Sequence, residues 1–423
     1  TKRPRGTPAA PAPAAARPAA PAGGKGLWTD LYQFTTALAY QQNRMNQTAT
    51  FEMFVRSLPP ERGYLLVAGI EEAIDYIEAL RFDEEEIGFI RSLPQFHGAP
   101  EDFFDWLRRF RFSGDVRAMP EGTPVFALEP IVQVTAPLPE AQIVETYLLS
   151  VVNFQTTVAT KAARMVDAAR GHDVVDFGFR RAHGPHAAVG AARAAYLAGC
   201  AGTSNVEAGR RYGIPVFGTA SHAFVTACES ETDAFRLHHK AFGGETLLLV
   251  DTYDALGGVK HAVALGDPIK GVRVDSGDLL ALSNEVRRIL DEAGYRETRI
   301  IASGRLNEHR IAELLAVGAP IDIFGVGTDL VTSRDAPALE GIYKLVEIGE
   351  GPDARCRLKT SSAKETLPGR KQVFRGFDAA GRPSADRIAR AGEPPRPGER
   401  PLLDLVMRGG RRVGDRPDPG QIR

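Results

Sequence analysis

Between residues 173 and 328 the sequence repeats one alternation six times, and that repeat limits what the chain can fold into. Apolar runs at 173–178 (DVVDFG), 214–220 (IPVFGTA), 246–253 (TLLLVDTY), 271–278 (GVRVDSGD), 299–305 (RIIASGR) and 321–328 (IDIFGVGT) are separated by amphipathic stretches such as 279–293 and 307–317. Strands buried on both faces read as continuous apolar runs, and a helix between them is what parallel pairing needs to cross back. The repeat predicts parallel β/α units, with one further short strand near 199–204. An irregular β/α barrel is expected, with a doubly wound sheet as the alternative.

The flanks read differently. Thr29 or Asp30 can cap a helix running to about Asn43, and 49–56 (TATFEMFV) alternates like a strand. Helical patterns follow at 64–80, 84–93 and 100–110. Residues 114–135 read as strands broken by Pro120, Pro124 and Pro130. A long helix with a break is expected from Pro139 to about Arg170. After Gly341 the rhythm stops, and 342–348 and 355–359 read as strands. The expected division is a smaller α+β domain over 27–138, a barrel over 139–340, and a segment at 341–423 that completes the smaller domain from the other end of the chain. Residues 1–26 hold nine alanines, six prolines, five basic residues and no acid. Such a stretch cannot bury enough apolar surface to offset its ordering entropy, and it is read as a disordered tail or a mis-assigned start.

Composition matters here for what it excludes. A formal net charge of −1 on 423 residues lacks the basic footprint of a nucleic-acid protein. No apolar run approaches the length of a membrane span. Cys200, Cys228 and Cys356 are far apart and form no C-x-x-C pair, which argues against a zinc ribbon or disulfide scaffold and for a reducing, cytoplasmic setting. The phosphate loop G-x-x-x-x-G-K-[ST], H-E-x-x-H and G-x-S-x-G are absent from the sequence.

In β/α folds the ligand site lies at the carboxyl ends of the strands. The polar residues of this chain collect there: Arg180 and Arg181, Thr219 and His222, Asp251, Arg273 and Asp275, Ser303, and the turn Gly325-Val326-Gly327-Thr328. Fixed positive charge, hydroxyls and bare amides suit a ligand with several negative charges. Each residue also has a plainer reading. The glycine turn can be only a tight turn, Asp278 can simply cap the next helix, and His222 can be a polar core residue rather than a base, nucleophile or phosphate acceptor. Tyr32 can be a helix-face core residue or a stacking platform. His183 and His186 form H-x-x-H with no third ligand nearby, so no metal site is assigned.

Taken in order, nine strings make the chain resemble the nicotinate phosphoribosyltransferase family: TDLYQ (29–33), FGFRRAHGP (177–185), GTSN (202–205), GTASHAFV (218–225), LLLVDTYD (247–254), VRVDSGDL (272–279), FGVGT (324–328), YKLVE (343–347) and KETLPGRKQVFR (364–375). The resemblance implies a phosphoribosyltransferase-type barrel that joins nicotinate and 5-phosphoribosyl 1-diphosphate, with Mg²⁺ and ATP, as the first step of NAD recovery from nicotinic acid. It implies that His222 is the histidine ATP phosphorylates, that Tyr32, Thr219 and Arg273 are nicotinate-site positions, and that Gly325, Gly327 and Thr328 hold the phosphoribosyl phosphate. Arg180 and Arg181 match paired arginines of the anionic site. Asp251 and Asp275 fall, by position, on the ribose and Mg²⁺–diphosphate side, with Asp275 expected beside His222 as a catalytic residue, and Ser303 is expected to bind substrate. A homodimer is implied, with Tyr32 reaching a neighbour's pocket. Transfer to nicotinamide or quinolinate, or a non-transferase phosphate-binding barrel, are the alternatives. Two departures stand out: Arg305 replaces the aspartate usual in bacterial members, and His183 and His186 stand where glutamine and aspartate are more frequent.

Overall fold

The computed structural model describes residues 25–361, 364 and 366–423. Apart from Lys25 and Gly26, the tail expected over 1–26 lies outside them. Helix α1 (Leu31–Gln42) starts after Asp30, whose backbone takes the N-cap conformation although its carboxylate accepts from Thr146 Oγ1 at 2.9 Å rather than from a helix amide. Strand β1 (Thr48–Val55) follows. The helix expected over 64–80 is shorter: the chain first forms β2 (Leu65–Leu66), and α2 (Ile70–Ala79) begins after Gly69. Gly69 sits at φ +92, where a Cβ would meet Val151 O at 2.9 Å. Thr160 and Thr156 hydroxyls take the amides of Leu66 and Ala68. Those bonds draw this stretch along a neighbouring helix and rule out a continuous turn through Gly69.

Helix α3 (Glu84–Ser92) opens on a capping box between Asp83 and Glu86, as its sequence allows. It is followed by α4 (Glu101–Arg109), β3 (Asp115–Ala118), β4 (Pro124–Val125) and β5 (Val132–Pro137). The long helix is broken at Val144 into α5 (Leu138–Ile143) and α6 (Glu145–Ala168). Helix α6 is shared by two cores: Leu148 and Val152 pack with the first sheet, while Val158, Ala159, Ala162 and Met165 pack with the second.

The second sheet comes from the repeat. In chain order it is built from β6 (Asp173–Asp176), α7 (Pro185–Leu197), β7 (Gly202–Thr203), α8 (Val206–Tyr212), α9 (His222–Ala227), α10 (Glu231–Phe242), β8 (Leu247–Leu249), α11 (Ala255–Val263), β9 (Gly271–Val274), α12 (Leu279–Glu292), β10 (Arg299–Ser303), α13 (Glu308–Ala316), β11 (Ile323–Val326) and α14 (Thr328–Val331). The six strands are parallel in the order β7-β6-β11-β10-β9-β8. Pairing of β11 with β6 brings the last strand of the repeat beside the first, which curls the sheet into a half-barrel. The strand expected at 214–220 does not form; that segment makes one bridge, Thr203 to Val216. Pro215 has no amide to donate, and a ladder cannot propagate through it.

Strand β12 (Gly341–Ile348) returns antiparallel to β1, and β13 (Arg355–Cys356) is shorter than the 355–359 expected. Then come β14 (Lys371–Phe377), β15 (Pro383–Arg390), β16 (Glu399–Pro401), β17 (Asp404–Arg408), β18 (Arg411–Arg412) and α15 (Pro419–Ile422). The first sheet is thus seven-stranded, β13-β12-β1-β5-β3-β17-β18, and takes strands from both ends of the chain. β1 reads as half-buried but is buried on both faces, because Glu52 is paired with Lys371 of β14 at 2.7 Å. Among the described residues no helix is long and apolar enough to cross a membrane.

Candidate active site

Side chains on a strand alternate between faces, and this sorts the half-barrel. Val272 and Val274 of β9, with Ile300 and Ala302 of β10, join the core beneath the helices. The other face carries Val175, Ile301 and Ile323, against which Phe177 packs, and these close the barrel floor. One step further along that face come Phe177, Asp275, Ser303 and Gly325, beside Arg273. Above the floor opens a cavity of about 880 Å³ lined by these residues and by Arg180, Arg181, Gly327 and Thr328.

Arg273 is the hub. Its Nε donates to Ser303 Oγ (2.7 Å), Nη1 to Thr219 Oγ1 (3.2 Å) and Nη2 to Asp275 Oδ1 (2.7 Å), and its guanidinium lies 5.2 Å from the centre of the Phe177 ring. Ser303 Oγ also donates to Asp275 Oδ1 at 2.5 Å. Burial pushes the Asp275 carboxyl up, but the Ser303 hydroxyl, the Arg273 charge and the nearby His222 outweigh it and hold it below the usual carboxylate range. The resemblance implies one subsite for Arg273 and Thr219 and another for Asp275; the structure ties Thr219, Asp275 and Ser303 to the one guanidinium of Arg273.

Asp251 does not line the cavity but supports it: its Oδ2 accepts from the Asp275 amide at 2.9 Å and from Ser276 Oγ at 2.6 Å. Its Oδ1 is buried without a hydrogen-bond partner. His222 opens α9 and is solvent-exposed, with Nδ1 3.1 Å from Thr252 Oγ1 and Nε2 unpartnered among the described residues. Asp278 caps α12 through the amides of Leu280 and Ala281, which is its plainer reading. Tyr32 is not brought in. It lies on α1 beside Glu145 and Thr146, and its phenol is raised to about 12 by burial and the Glu145 charge.

The glycine turn is only partly as expected. Gly325 belongs to β11, and a Cβ there would meet the Phe177 ring at 2.6 Å, so this glycine seats an aromatic ring. Beyond the strand, the turn facing the cavity starts at Gly327. The lining also includes residues outside the expected site set, among them Phe177, Arg305, Arg310, Asp329 and Arg334. Asp176, also missed, sits under the arginine pair, with Oδ1 taking the Gly178 amide and Oδ2 the Thr203 hydroxyl, both at 2.7 Å. A buried acid at the end of an apolar strand was the available signal. Among the described residues there is no cluster of three or more metal-ligating side chains, and His186 packs edge-on to Trp28.

Family models for the nicotinate phosphoribosyltransferase N-terminal domain and for the nicotinate phosphoribosyltransferase family match residues 27–153 and 172–348. The chain belongs to this family. It is 50% identical over 393 residues to the nicotinate phosphoribosyltransferase pncB2 of Mycobacterium tuberculosis, covering 92% of this chain and 82% of the relative. It is 45% identical over 359 residues to the nicotinate phosphoribosyltransferase of Bacillus subtilis, covering 82% and 72%. The human nicotinic acid phosphoribosyltransferase structure superposes with a TM-score of 0.81 at 29% identity, covering 93% and 92% of the two chains. A Pyrococcus furiosus nicotinate-nucleotide pyrophosphorylase gives 0.76 at 26%, covering 94% and 92%. The second family model spans every cavity-lining residue, and the first spans α1 with Tyr32.

Proposed function

We propose that this chain transfers the 5-phosphoribosyl group from 5-phosphoribosyl 1-diphosphate to nicotinate, forming nicotinate mononucleotide and diphosphate. The observation that carries this reading is the hub: a guanidinium over an aromatic ring, beside a hydroxyl, at the edge of a cavity lined by further arginines. A flat ring bearing a carboxylate fits the Phe177 and Arg273 side, and phosphates fit the arginines. The pyridine nitrogen attacks the anomeric carbon with its own lone pair as the bond to the diphosphate oxygen breaks. No general base is needed, so catalysis reduces to positioning and charge stabilisation. Arg180 and Arg181, uncommitted to any partner among the described residues, offset the charge of the leaving diphosphate.

Mg²⁺ fits as an ion carried in by substrate phosphates. Among the described residues Asp275 Oδ2 is a lining carboxylate oxygen without a hydrogen bond, and Mg²⁺ bound through it keeps most of its shell from phosphate and water. There it would supply neutralisation of the leaving group. ATP is the second substrate. Its γ-phosphate passes to Nε2 of His222, whose ring Thr252 orients, and hydrolysis of that phosphohistidine drives the site between tight and loose states. The half-exposed Tyr32, remote from its own cavity, supports a homodimer in which it completes a partner's site. Three free cysteines suit a reducing cytoplasm, where the reaction would open NAD recovery from nicotinic acid.

The test is incubation with labelled nicotinate, phosphoribosyl diphosphate and Mg²⁺, with and without ATP. ATP-stimulated nicotinate mononucleotide is the expected result. Turnover of nicotinamide or quinolinate instead would move the substrate, and no product with any of the three would overturn the reading.

A further inference from the structure

Three guanidinium groups lining the cavity have no hydrogen bond or ion pair among the described residues: Arg180, Arg181 and Arg305. The other cationic lining residues are each matched with a carboxylate, Arg273 with Asp275 (2.7 Å), Arg310 with Glu313 (3.1 Å) and Arg334 with Asp329 (3.7 Å). Arg305 is therefore a cation at the site with no ion-pair partner among the described residues.

Its backbone is also held in an unfavourable place. Arg305 has φ +51, a left-handed conformation that costs a non-glycine residue roughly 1 kcal/mol. The preceding Gly304, at φ +91, leaves no alternative path: a Cβ on it would lie 2.1 Å from the Asp275 carbonyl oxygen. The turn 304–305 is thus pinned against the hub.

Register then says what lies beside it. Ser303 pairs with Gly325, and Gly325 pairs with Val175 on its other side. The turn after β10, with Arg305, and the turn after β6, with Arg180 and Arg181, therefore flank the turn after β11, with Gly327 and Thr328. An anion on the β11 turn has free guanidiniums to both sides, and the carboxylate of that turn, Asp329, is held by Arg334 (3.7 Å) and Asn307 (3.3 Å), whereas the ends of β8 and β9 present the carboxylates Asp251 and Asp275. The position that favours a bare phosphate monoester, unaccompanied by Mg²⁺, is the β11 side.

Resting on the transferase reading for the identity of the substrate, we propose that Arg305 binds the 5-phosphate of the phosphoribosyl substrate and of its mononucleotide product. It thereby acts as a specificity residue for the phosphorylated sugar. The aspartate that the resemblance places here cannot do this; the arginine of this chain reverses the sign.

Ribose 5-phosphate is the probe, because it carries the monoester without diphosphate or pyridine. Calorimetric titration of the full-length protein is expected to show binding to wild type, weakened about ten- to a hundredfold in R305G and by less in R305K, with nicotinate affinity unchanged. Glycine accepts the left-handed backbone without strain, so R305G removes the guanidinium and spares the fold; an unchanged Tm checks this. Equal affinity of R305G and wild type for ribose 5-phosphate, or no binding to wild type, overturns the proposal. Turnover is scored separately. Ribose 5-phosphate affinity lost in R305G, beside a wild type that binds it but makes no nicotinate mononucleotide, would sustain the role of Arg305 and reject the transferase reading; wild-type turnover with equal affinity in R305G would do the reverse.

Discussion

Arg273 and Asp275 face each other from alternate positions at the end of β9, with Nη2 2.7 Å from Oδ1. The two residues are two apart, so the pleat puts both on the cavity face while Val272 and Val274 fill the opposite core. The carboxylate fixes the guanidinium plane, and Ser303 bonds both partners. Replacing Arg273 by lysine keeps the charge but loses the planar fork that reaches three oxygens at once. R273K is expected to raise KM for nicotinate about tenfold or more, while Tm moves little; steady-state kinetics against nicotinate at saturating phosphoribosyl diphosphate measures it.

Asp275 also leaves a signature in pH. Its carboxyl is depressed in the folded protein, so the ionised form adds stability above the unfolded value, and that contribution is lost as pH falls through the folded value. In D275N the contribution is absent at every pH. The Tm gap between wild type and D275N should be widest at neutral pH and close below the ordinary carboxylate range. A gap independent of pH would mean that Asp275 acts by shape alone.

Gly325 offers a test of the aromatic floor. A methyl group there would lie 2.6 Å from Cδ2 of Phe177, and a ring that moves takes the Arg273 stacking contact with it. G325A is expected to cost about 1–3 kcal/mol from overpacking and to lower kcat/KM for nicotinate by more than the stability loss explains. Urea denaturation beside kinetics separates the two.

How much of this was legible in the sequence depends on the scale of the signal. The β/α rhythm and the closure of a second domain from both chain ends were readable, because apolar runs and turns are local. So was the gathering of Arg180, Arg181, Arg273, Asp275 and Ser303 at strand ends, which follows from the fold rule alone. The joining of Thr219, Arg273, Asp275 and Ser303 into one hub was not, because it depends on which strands are neighbours. Arg310, on α13, and Arg334, after α14, carry no local signal in the sequence that they line the cavity. Gly69 delays the start of the helix pattern through a contact with Val151, 82 positions away in sequence and invisible in a local window. Gly325 is read from sequence as part of an anion nest; its bareness also seats the Phe177 ring, contributed by a different strand, which the sequence does not show.

Beneath the arginine-bearing loops, Lys161 of α6 bridges Glu308 (2.6 Å) and Asp335 (2.8 Å), with Arg62 on Asp335 at 2.8 Å and Arg164 on Glu308 at 2.9 Å. Glu308 follows the Arg305 turn at the start of α13, and Asp335 adjoins Arg334, so one buried ammonium ties both loops to the helix shared by the two cores. Removing it leaves two carboxylates sharing the remaining cations. K161M is expected to destabilise by about 3 kcal/mol and to raise KM for phosphoribosyl diphosphate ahead of KM for nicotinate. Burial raises both carboxyls, and the bond and charge of Lys161, together with Arg164 at Glu308, Arg62 at Asp335 and backbone amides, leave them depressed. Wild-type stability from this cluster should fade as pH drops through those depressed values, and K161M should show less of that fading in a pH series of denaturant midpoints.

His222 is the residue whose proposed role is most separable from binding. It is exposed, opens α9 behind the Ser221 cap, and holds Thr252 through Nδ1 at 3.1 Å, so Nε2 is the nitrogen left to take a phosphoryl group. If ATP acts through it, H222A should retain basal transfer without ATP and lose the stimulation, whereas removal of a merely structural histidine would lower both together. T252V should fall between, because the imidazole keeps its nucleophilic nitrogen but loses the bond that fixes the ring. Product formation with and without ATP for the three proteins, alongside acid-labile phosphate incorporation from γ-labelled ATP, measures this. Full ATP stimulation in H222A would reject the phosphohistidine, whatever the rate of transfer.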